Sequence, residues 1–312
     1  MKHCLLCAST ETEVIGSVDT DGLIKRYRNL FKADFSYLFT TSLIKLVRCN
    51  SCDLKFYDPI VAGDENFYSV LQKADHYYRD SKEEYNLAAH IVTPSSSVLD
   101  VGCGKGEFRK FIPTSNFTGL EFSKEAIKSG GENGTSILNQ SVEEHAQLHS
   151  KKYDFVTAFQ VLEHVTDLPS FIKSCADCVK PGGKLIIAVP SEESYLQFST
   201  NSILNMPPHH ISRWTDKALQ HLIKLIDFDS VEIFHDSLDP LHVTSFFSVL
   251  LERSLPFSNR NKVKLLDNSL RYKIRMKIAG ILAKRMSRHS SHVAWHGKGQ
   301  NVTAVFKKRE II

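Results

Sequence analysis

The amino-acid sequence predicts a doubly wound α/β fold, in which helices cover both faces of a mostly parallel sheet. Short apolar runs alternate with helical stretches from Ser97 to about Asp236, which is typical of βαβ units. A glycine-rich turn, DVGCGKGEF, follows the first of these runs. About 20 residues further on, the second run ends in an acid, Glu121, at the sheet edge where such folds bind their ligands.

Six strands are predicted within this region, each a short apolar run bounded by turn residues. They cover residues 97–101, 117–121, 135–138, 153–159, 184–190 and 230–235. Helices should fill the gaps between the strands, notably at 168–179 and 215–226. Cys175 and Cys178 lie on the expected core face of the first of these helices, so we expect no metal site there.

The parts of the chain outside this alternation have other patterns. Residues 64–92 have helical composition and aromatic spacing, which predicts one or two helices, whereas the first 60 residues show little clear periodicity. We therefore divide the chain into five segments. They are a cysteine-rich segment at 1–60, a helical connector at 61–96, the sheet domain at 97–240, a basic helical insertion at 241–298 and the last strand of the sheet at 299–312.

The insertion contains apolar residues at helical spacing, which predicts a basic amphipathic helix or helix pair over 262–288. We expect the apolar stripe to be buried and most basic side chains to lie off it. The stripe consists of Val263, Leu266, Leu270, Ile274, Ile278 and Ile281, and the basic residues are Lys273, Arg275, Lys277, Lys284 and Arg288. A last strand is predicted at 301–308.

Composition is that of an ordinary globular protein, with 42% hydrophobic and 24% charged residues. No run approaches the roughly 20 apolar residues of a membrane span, and the first residues do not resemble a signal peptide. We therefore expect a cytoplasmic protein with reduced thiols. The net charge is +4, but residues 241–312 contain 15 Lys or Arg and 3 Asp or Glu. This excess indicates either an anionic partner or a solvated helix face.

Details of the glycine turn indicate the class of ligand. A dinucleotide fingerprint needs its third glycine where Glu107 stands, so that fingerprint is excluded. The acid that precedes the turn, Asp100, suits a cationic ligand, such as one that carries an ammonium and a sulfonium group. Glu121, at the end of the second strand, can accept hydrogen bonds from both hydroxyls of a ribose.

Four segments in order, DVGCGKGEF, LEFS, YDFVTAFQVLEHV and VKPGGKLIIAVP, resemble the motifs of class I S-adenosylmethionine-dependent methyltransferases. The resemblance covers residues 97–236 and extends to 301–308. It implies a Rossmann-like seven-stranded methyltransferase sheet whose last strand is antiparallel, with S-adenosyl-L-methionine as cofactor. It also implies a role for each matched residue. Asp100, Gly102 and Gly104 would face the methionine part, Glu121 the ribose, Ser141 and Val142 the adenine, and Gln160 would close the methionine pocket.

Histidines near the carboxyl edge of the sheet are candidates for the catalytic base, since histidine titrates near neutral pH. His164 follows the fourth strand, and His209 and His210 follow the fifth in NMPPHHISRW. Each could instead be a packed, hydrogen-bonded residue. Together with LEHV, the PPHH stretch is similar to a subgroup of small-molecule methyltransferases associated with sugars, surface polysaccharides or quinone-like acceptors.

Two Cys-x-x-Cys pairs, Cys4 with Cys7 and Cys49 with Cys52, can together provide four thiolates for one tetrahedral Zn²⁺. Such a zinc ion would be structural, because four thiolates leave no open position. The pattern resembles the zinc-binding segment in front of some sugar methyltransferases. The alternative is a set of reduced or partly buried thiols.

These patterns predict a methyltransferase for a small molecule, with a sugar or polysaccharide precursor as the preferred acceptor. The basic insertion would form a lid over an acceptor that carries phosphate. One alternative is a nucleic-acid methyltransferase, but the asparagine-proline-proline-aromatic tetrad of base-amine enzymes is absent after the fourth strand, where FQVLE stands. Another alternative is a non-catalytic scaffold whose basic helices contact a membrane surface or a partner.

Overall fold

The computed structural model describes residues 3–73, 82–132, 135–256, 264–289 and 298–310. Its strands are β1 (Thr12–Asp19), β2 (Leu43–Cys49), β3 (Lys55–Asp58), β4 (Val98–Val101), β5 (Phe117–Leu120), β6 (Ile137–Leu138), β7 (Tyr153–Phe159), β8 (Val179–Pro190), β9 (Ser212–Arg213), β10 (Phe228–Ser237) and β11 (Lys298–Lys308). Its α-helices are α1 (Thr20–Phe31), α2 (Glu65–Gln72), α3 (Glu83–Ala89), α4 (Lys124–Glu132), α5 (Val142–Leu148), α6 (Leu168–Cys178), α7 (Asp216–His221), α8 (Val243–Ser254) and α9 (Leu270–His289).

Seven of these strands form one sheet in the order β10-β11-β8-β7-β4-β5-β6. Strands β4 to β8 pair in parallel, and β11 is antiparallel to both of its neighbours. The middle strands are apolar along nearly their whole length because helices cover both faces of the sheet. The predicted doubly wound fold, with seven strands and an antiparallel last strand, is thereby confirmed.

A second, four-stranded sheet has the order β1-β2-β3-β9 and was not predicted. Its first three strands come from the cysteine-rich segment, whereas β9 follows the fifth strand of the large sheet. β1 is mostly exposed and β9 has only two residues, so neither shows the alternation that indicates a strand. Because β9 pairs with β3, the small sheet lies against the loop that contains His209 and His210.

The segment predicted to contain one or two helices contains α2 and α3 in its described part. Asp64 caps α2, since its carboxylate accepts a hydrogen bond of 2.8 Å from the backbone N–H of Phe67. Cys175 and Cys178 are fully buried in α6, as predicted. No helix among the described residues combines the length and the apolar character that crossing a membrane requires.

The basic helix is present as α9, but its orientation is opposite to the predicted one. Its buried side contains Tyr272, Ala279 and Ala283. The two alanines have small side chains, which let the helix pack closely against α8. The predicted apolar stripe faces outward, with exposed fractions of 72% for Leu270 and 51% for Ile274. The expectation of a buried stripe is therefore wrong for the helix. Leu266 lies before it, and position 263 lies outside the described residues.

Candidate functional site

A cavity of about 2150 Å³ opens at the carboxyl ends of β4, β5, β7 and β8, beneath α2 and α3. Pockets for one small ligand usually measure about 300–1,000 Å³, so this cavity has room for a cofactor and an acceptor together. Every residue predicted to bind cofactor lines it, and so do all three candidate catalytic histidines. The structure thus brings the two predicted groups of residues into one space.

The glycine turn after β4 has the backbone conformation that its sequence predicts. Gly102 has a φ of +69°, and a Cβ atom there would lie 2.5 Å from Cγ2 of Val161. Gly104 has a φ of +54°, and its N–H donates a hydrogen bond of 2.9 Å to Oε2 of Glu121. The turn can therefore bring bare backbone to the cavity only with glycine at these positions.

Glu121 is fixed at the end of β5 by its own backbone surroundings. Besides the bond from Gly104, its Oε1 accepts hydrogen bonds of 2.8 Å from the N–H groups of Phe122 and Ser123. Two carboxylate oxygens offer about four acceptor sites and three are occupied, so at least one site, on Oε2, remains for a hydroxyl group. The side chain lines the cavity next to the glycine turn, where the sequence predicts the ribose.

Two buried acids lie near the turn. Asp100 is 2% exposed, Thr157 donates a hydrogen bond of 2.7 Å to it, and burial raises the pKa of this carboxyl to about 7. Glu84 in α3 is 1% exposed and accepts a bond of 3.1 Å from Nε2 of Gln160. Its Oε2 is buried without a hydrogen-bond partner among the described residues. An unpaired buried carboxylate oxygen fits a cationic ligand such as the methionine part of S-adenosylmethionine.

The predicted adenine contacts lie at the start of α5. Ser141 caps this helix, since its hydroxyl accepts a hydrogen bond of 3.1 Å from the N–H of Glu144, whose carboxylate accepts from the N–H of Ser141. Val142 is 2% exposed. Both line the cavity, with Val142 providing the apolar surface.

The three candidate histidines form a cluster in the wall of the same cavity. We name the part of the cavity that they line the acceptor end. Their ring centroids are 4.4 to 4.9 Å apart. Burial lowers the pKa of His164 to about 4 and that of His209 to about 3, and lowers the pKa of His210 well below its ordinary value. All three imidazoles are therefore neutral near pH 7.

Glu163 lies beside these rings and was missed by the sequence analysis, although it precedes His164 in LEHV. It is 1% exposed, and burial raises the pKa of its carboxyl to about 8. Glu84 was missed as well, because a glutamate in a connecting helix has no distinguishing pattern. Both carboxyls add to the acidic character of the cavity, whose described lining contains eleven Asp or Glu and two Lys.

The four predicted zinc ligands lie together outside this cavity. The sulfur atoms of Cys4 and Cys52 are 3.5 Å apart, and those of Cys7 and Cys49 are 3.6 Å apart. All four ligand atoms lie within 4.8 Å of one another. In a tetrahedral site with Zn–S bonds of about 2.3 Å, the sulfur atoms are about 3.8 Å apart. The cluster therefore has dimensions that fit one zinc ion.

The seven-stranded sheet is the fold that the resemblance to class I S-adenosylmethionine-dependent methyltransferases implies. The profile of the family described as "Methyltransferase domain" matches residues 72–233, which is just over half of the chain. The chain belongs to this family.

Individual relatives match a shorter part of this chain than the family profile does. The ubiquinone biosynthesis O-methyltransferase of Cronobacter sakazakii is 41% identical over 101 residues, which are 29% of this chain and 41% of that protein. The enzyme of the same name from Erwinia tasmaniensis is 38% identical over 105 residues, covering 31% and 43%. The match thus spans less than half the length of these relatives. Among solved structures, a SAM-dependent methyltransferase from Archaeoglobus fulgidus is 18% identical, with a TM-score of 0.46 and coverage of 72% and 92%.

Proposed function

We propose that the chain transfers the methyl group of S-adenosylmethionine to an oxygen atom of a small-molecule acceptor. The observation that carries this proposal is one cavity that contains both the glycine turn with its acids and the buried histidine cluster. Holding donor and acceptor in line is the main task of such an enzyme, because the sulfonium donor is already activated. Transfer to oxygen is supported by the names of the relatives, which are O-methyltransferases.

In this proposal the cofactor occupies the part of the cavity between α5 and β4. Glu121 binds the ribose hydroxyls, Ser141 and Val142 flank the adenine, and Asp100 binds the ammonium group. Glu84 and Gln160, which are bonded to each other and both line the cavity, close the methionine pocket. The sulfonium then faces the acceptor end, where α2 and the histidine loop limit access of water.

The charge of the cavity bears on the acceptor. The described lining has eleven acids and two lysines, and burial raises the pKa of three of these acids, Asp100, Asp236 and Glu163, to about 7 or 8. The other eight acids still outnumber the lysines, so the lining repels phosphate groups. None of the described residues of α9 lines the cavity, so a basic lid over a phosphate-bearing sugar lacks support. We therefore propose a neutral or cationic acceptor with a free hydroxyl group, such as a polyhydroxylated ring or an unphosphorylated sugar unit. The same charges disfavour nucleic acid.

Release of S-adenosylhomocysteine from the full chain tests this proposal with three acceptor classes: polyhydroxylated aromatic rings, sugars with and without phosphate, and RNA. We expect turnover with an uncharged hydroxyl compound and none with RNA. Turnover only with RNA or only with phosphorylated sugars would contradict the acceptor class. Cofactor binding without turnover in any class would favour the non-catalytic scaffold.

We propose that the four cysteines bind one structural zinc ion in a reducing compartment such as the cytoplasm. The convergence of four sulfur atoms from two distant segments supports this. Metal analysis of protein purified without chelator tests it.

We also propose that α9 contacts an anionic membrane surface. The helix contains seven Lys or Arg and no Asp or Glu, and its apolar stripe is exposed. An exposed apolar stripe flanked by basic residues is typical of helices that lie in the membrane interface. Co-sedimentation with vesicles that contain phosphatidylserine should exceed that with neutral vesicles, and Ile278→Glu should reduce it. Equal binding to both vesicle types would contradict the proposal.

A further inference from the structure

We propose that His164, His209 and His210 bind one divalent transition-metal ion, with Zn²⁺ as the first candidate, at the acceptor end of the cavity. One ring nitrogen from each histidine lies within 4.8 Å of those from the other two. Three imidazoles with an open fourth position are a known ligand set of catalytic zinc sites. The site is separate from the four-cysteine cluster, where four thiolates would leave the ion no open position.

Hydrogen bonds fix which nitrogen of each ring can bind the ion. Nδ1 of His164 lies 2.6 Å from the carbonyl oxygen of His209, and Nδ1 of His209 lies 2.7 Å from that of Leu204. Because a carbonyl oxygen can only accept, these Nδ1 atoms carry the proton and Nε2 carries the lone pair. Nδ1 of His210 lies 3.1 Å from Oδ1 of Asn205, with the same consequence. Metal-binding histidines usually donate such an outer hydrogen bond from their second nitrogen.

Glu163 adds a carboxylate at a matching distance. Its Oε1 lies 3.8 Å from Nε2 of His164 and 3.9 Å from Nε2 of His210. These distances are too long for hydrogen bonds. They suit ligands of one ion, because two atoms bound at about 2.1 Å are at most about 4.2 Å apart. Oε2 of Glu163 is buried without a hydrogen-bond partner among the described residues, and a cation would compensate this buried acid.

The backbone around the cluster holds the ligands in place. The N–H of Ile211 donates a hydrogen bond of 2.9 Å to the carbonyl oxygen of Glu163, which joins the histidine loop to the end of β7. The carbonyl oxygen of Met206 accepts bonds of 3.1 Å from the N–H groups of both His209 and His210. The loop is thus fixed on two sides, as a preorganised metal site requires.

The role of the ion rests on the proposed methyl transfer, although metal binding itself does not. The ion would bind an acceptor hydroxyl as a fifth ligand beside the three imidazoles and Glu163. That hydroxyl would lose its proton to water in the cavity, because the cation stabilises the resulting oxyanion. That oxygen attacks the methyl carbon. The new C–O bond forms as the C–S bond breaks, and the sulfonium becomes the neutral thioether of S-adenosylhomocysteine.

Titration of the metal-free full chain with Co²⁺ tests the site. Cobalt bound by four cysteines gives intense thiolate-to-metal charge-transfer bands, whereas cobalt bound by histidines gives only weak ligand-field bands. We expect a second equivalent of cobalt to bind and to show only the weak ligand-field bands. His209→Ala and the isosteric Glu163→Gln should weaken it by about tenfold or more. His149→Ala, which removes a histidine outside the cavity, should leave it unchanged.

Melting temperature and S-adenosylmethionine affinity, measured in the same variants, distinguish loss of the site from unfolding. The proposal is overturned if all the cobalt that the wild-type chain binds shows the charge-transfer bands of thiolate ligands. It is also overturned if the second equivalent persists when all three histidines are replaced by alanine. Binding of the second ion without methyl transfer to any acceptor would contradict only the proposed function.

Discussion

Glu121 connects the two strands that would hold the cofactor, because it accepts a hydrogen bond from Gly104 and lies at the end of β5. Replacing it with alanine removes the acceptor for the ribose hydroxyls. We expect S-adenosylhomocysteine to bind about 2 kcal/mol more weakly, which is about 30-fold, since hydrogen bonds to charged groups contribute about 1.5–3 kcal/mol. Calorimetry on Glu121→Ala measures this. Glu232→Ala, an exposed glutamate on β10, is the control, and equal affinity in both variants would refute the assignment.

Asp100 should make cofactor binding depend on pH. Burial raises the pKa of its carboxyl to about 7, with Glu121 raising it further and Thr157 and Lys82 lowering it. Binding of an ammonium group favours the ionised form, so affinity should rise with pH as Asp100 loses its proton. Between about pH 5.5 and 7 we expect a gain of more than about tenfold.

Asp100→Asn should bind weakly and nearly independently of pH in this range. Asp236 also lines the cavity, and burial raises the pKa of its carboxyl to about 7, so Asp236→Asn is the comparison variant. An unchanged pH profile in Asp100→Asn would show that another group is responsible.

Single residues also mark where sequence reasoning stops. The turn glycines and Glu121 were predictable, because a strand followed by a glycine turn and a later acid is a local pattern. Glu84 and Glu163 were not, because a buried acid is recognised only by the neighbours that desolvate it. The three histidines were predicted to lie near one edge of the sheet, but the packing of their rings against one another could not be predicted, since 45 positions separate His164 from His209.

At the scale of elements, one buried ionic cluster joins the two sheets. Glu192, just after β8, accepts hydrogen bonds of 2.6 Å from Nε of Arg213 in β9 and 2.7 Å from Nζ of Lys55 in β3. Glu192→Ala leaves the Arg213 charge buried without its partner and should lower the free energy of unfolding by about 3–5 kcal/mol. Urea denaturation measures this loss.

The matched control is the exposed pair between Lys173 and Asp177 on α6. Asp177→Ala should cost only about 0.3–0.5 kcal/mol, because water screens exposed pairs. Equal losses in the two variants would contradict the role given to the buried cluster.

The cysteine cluster stabilises the small sheet in our proposal. Cys49→Ser removes one of four ligands, and we expect loss of the thiolate-bound ion together with rapid proteolysis within β1 and β2. Because Cys49 is packed in the same hydrophobic cluster as Trp214, the melting temperature should fall as well. The control is Cys178→Ala, which changes a buried cysteine that is not one of the four proposed ligands. This variant should retain the ion. Protease resistance in metal-free protein would contradict this prediction.

The helix α9 shows why an amphipathic pattern does not determine which side is buried. Its sequence has two candidate faces, an apolar stripe of large residues and a narrow side with Ala279 and Ala283. The structure packs the alanine side against α8 and leaves the large residues exposed. Sequence periodicity predicted the helix and its composition predicted the charge. The orientation depends on the packing partner.

At the scale of the whole molecule, the large sheet was predictable because its buried parallel strands are continuous apolar runs separated by helices. The small sheet was not, because it pairs strands from the start of the chain with a two-residue strand beyond residue 210. That pairing also positions the histidine loop. The cofactor side of the site therefore follows from local sequence, and the acceptor side depends on the tertiary fold.

The most direct test of the account is a crystal structure of the full chain with S-adenosylhomocysteine bound. We expect the ribose hydroxyls on the Glu121 carboxylate, the amino group on Asp100, and the sulfur atom facing His164, His209 and His210 across the cavity. A cofactor bound away from the glycine turn would contradict the central claim. So would a sulfur atom directed away from the histidines, because no methyl group could then reach an acceptor held there.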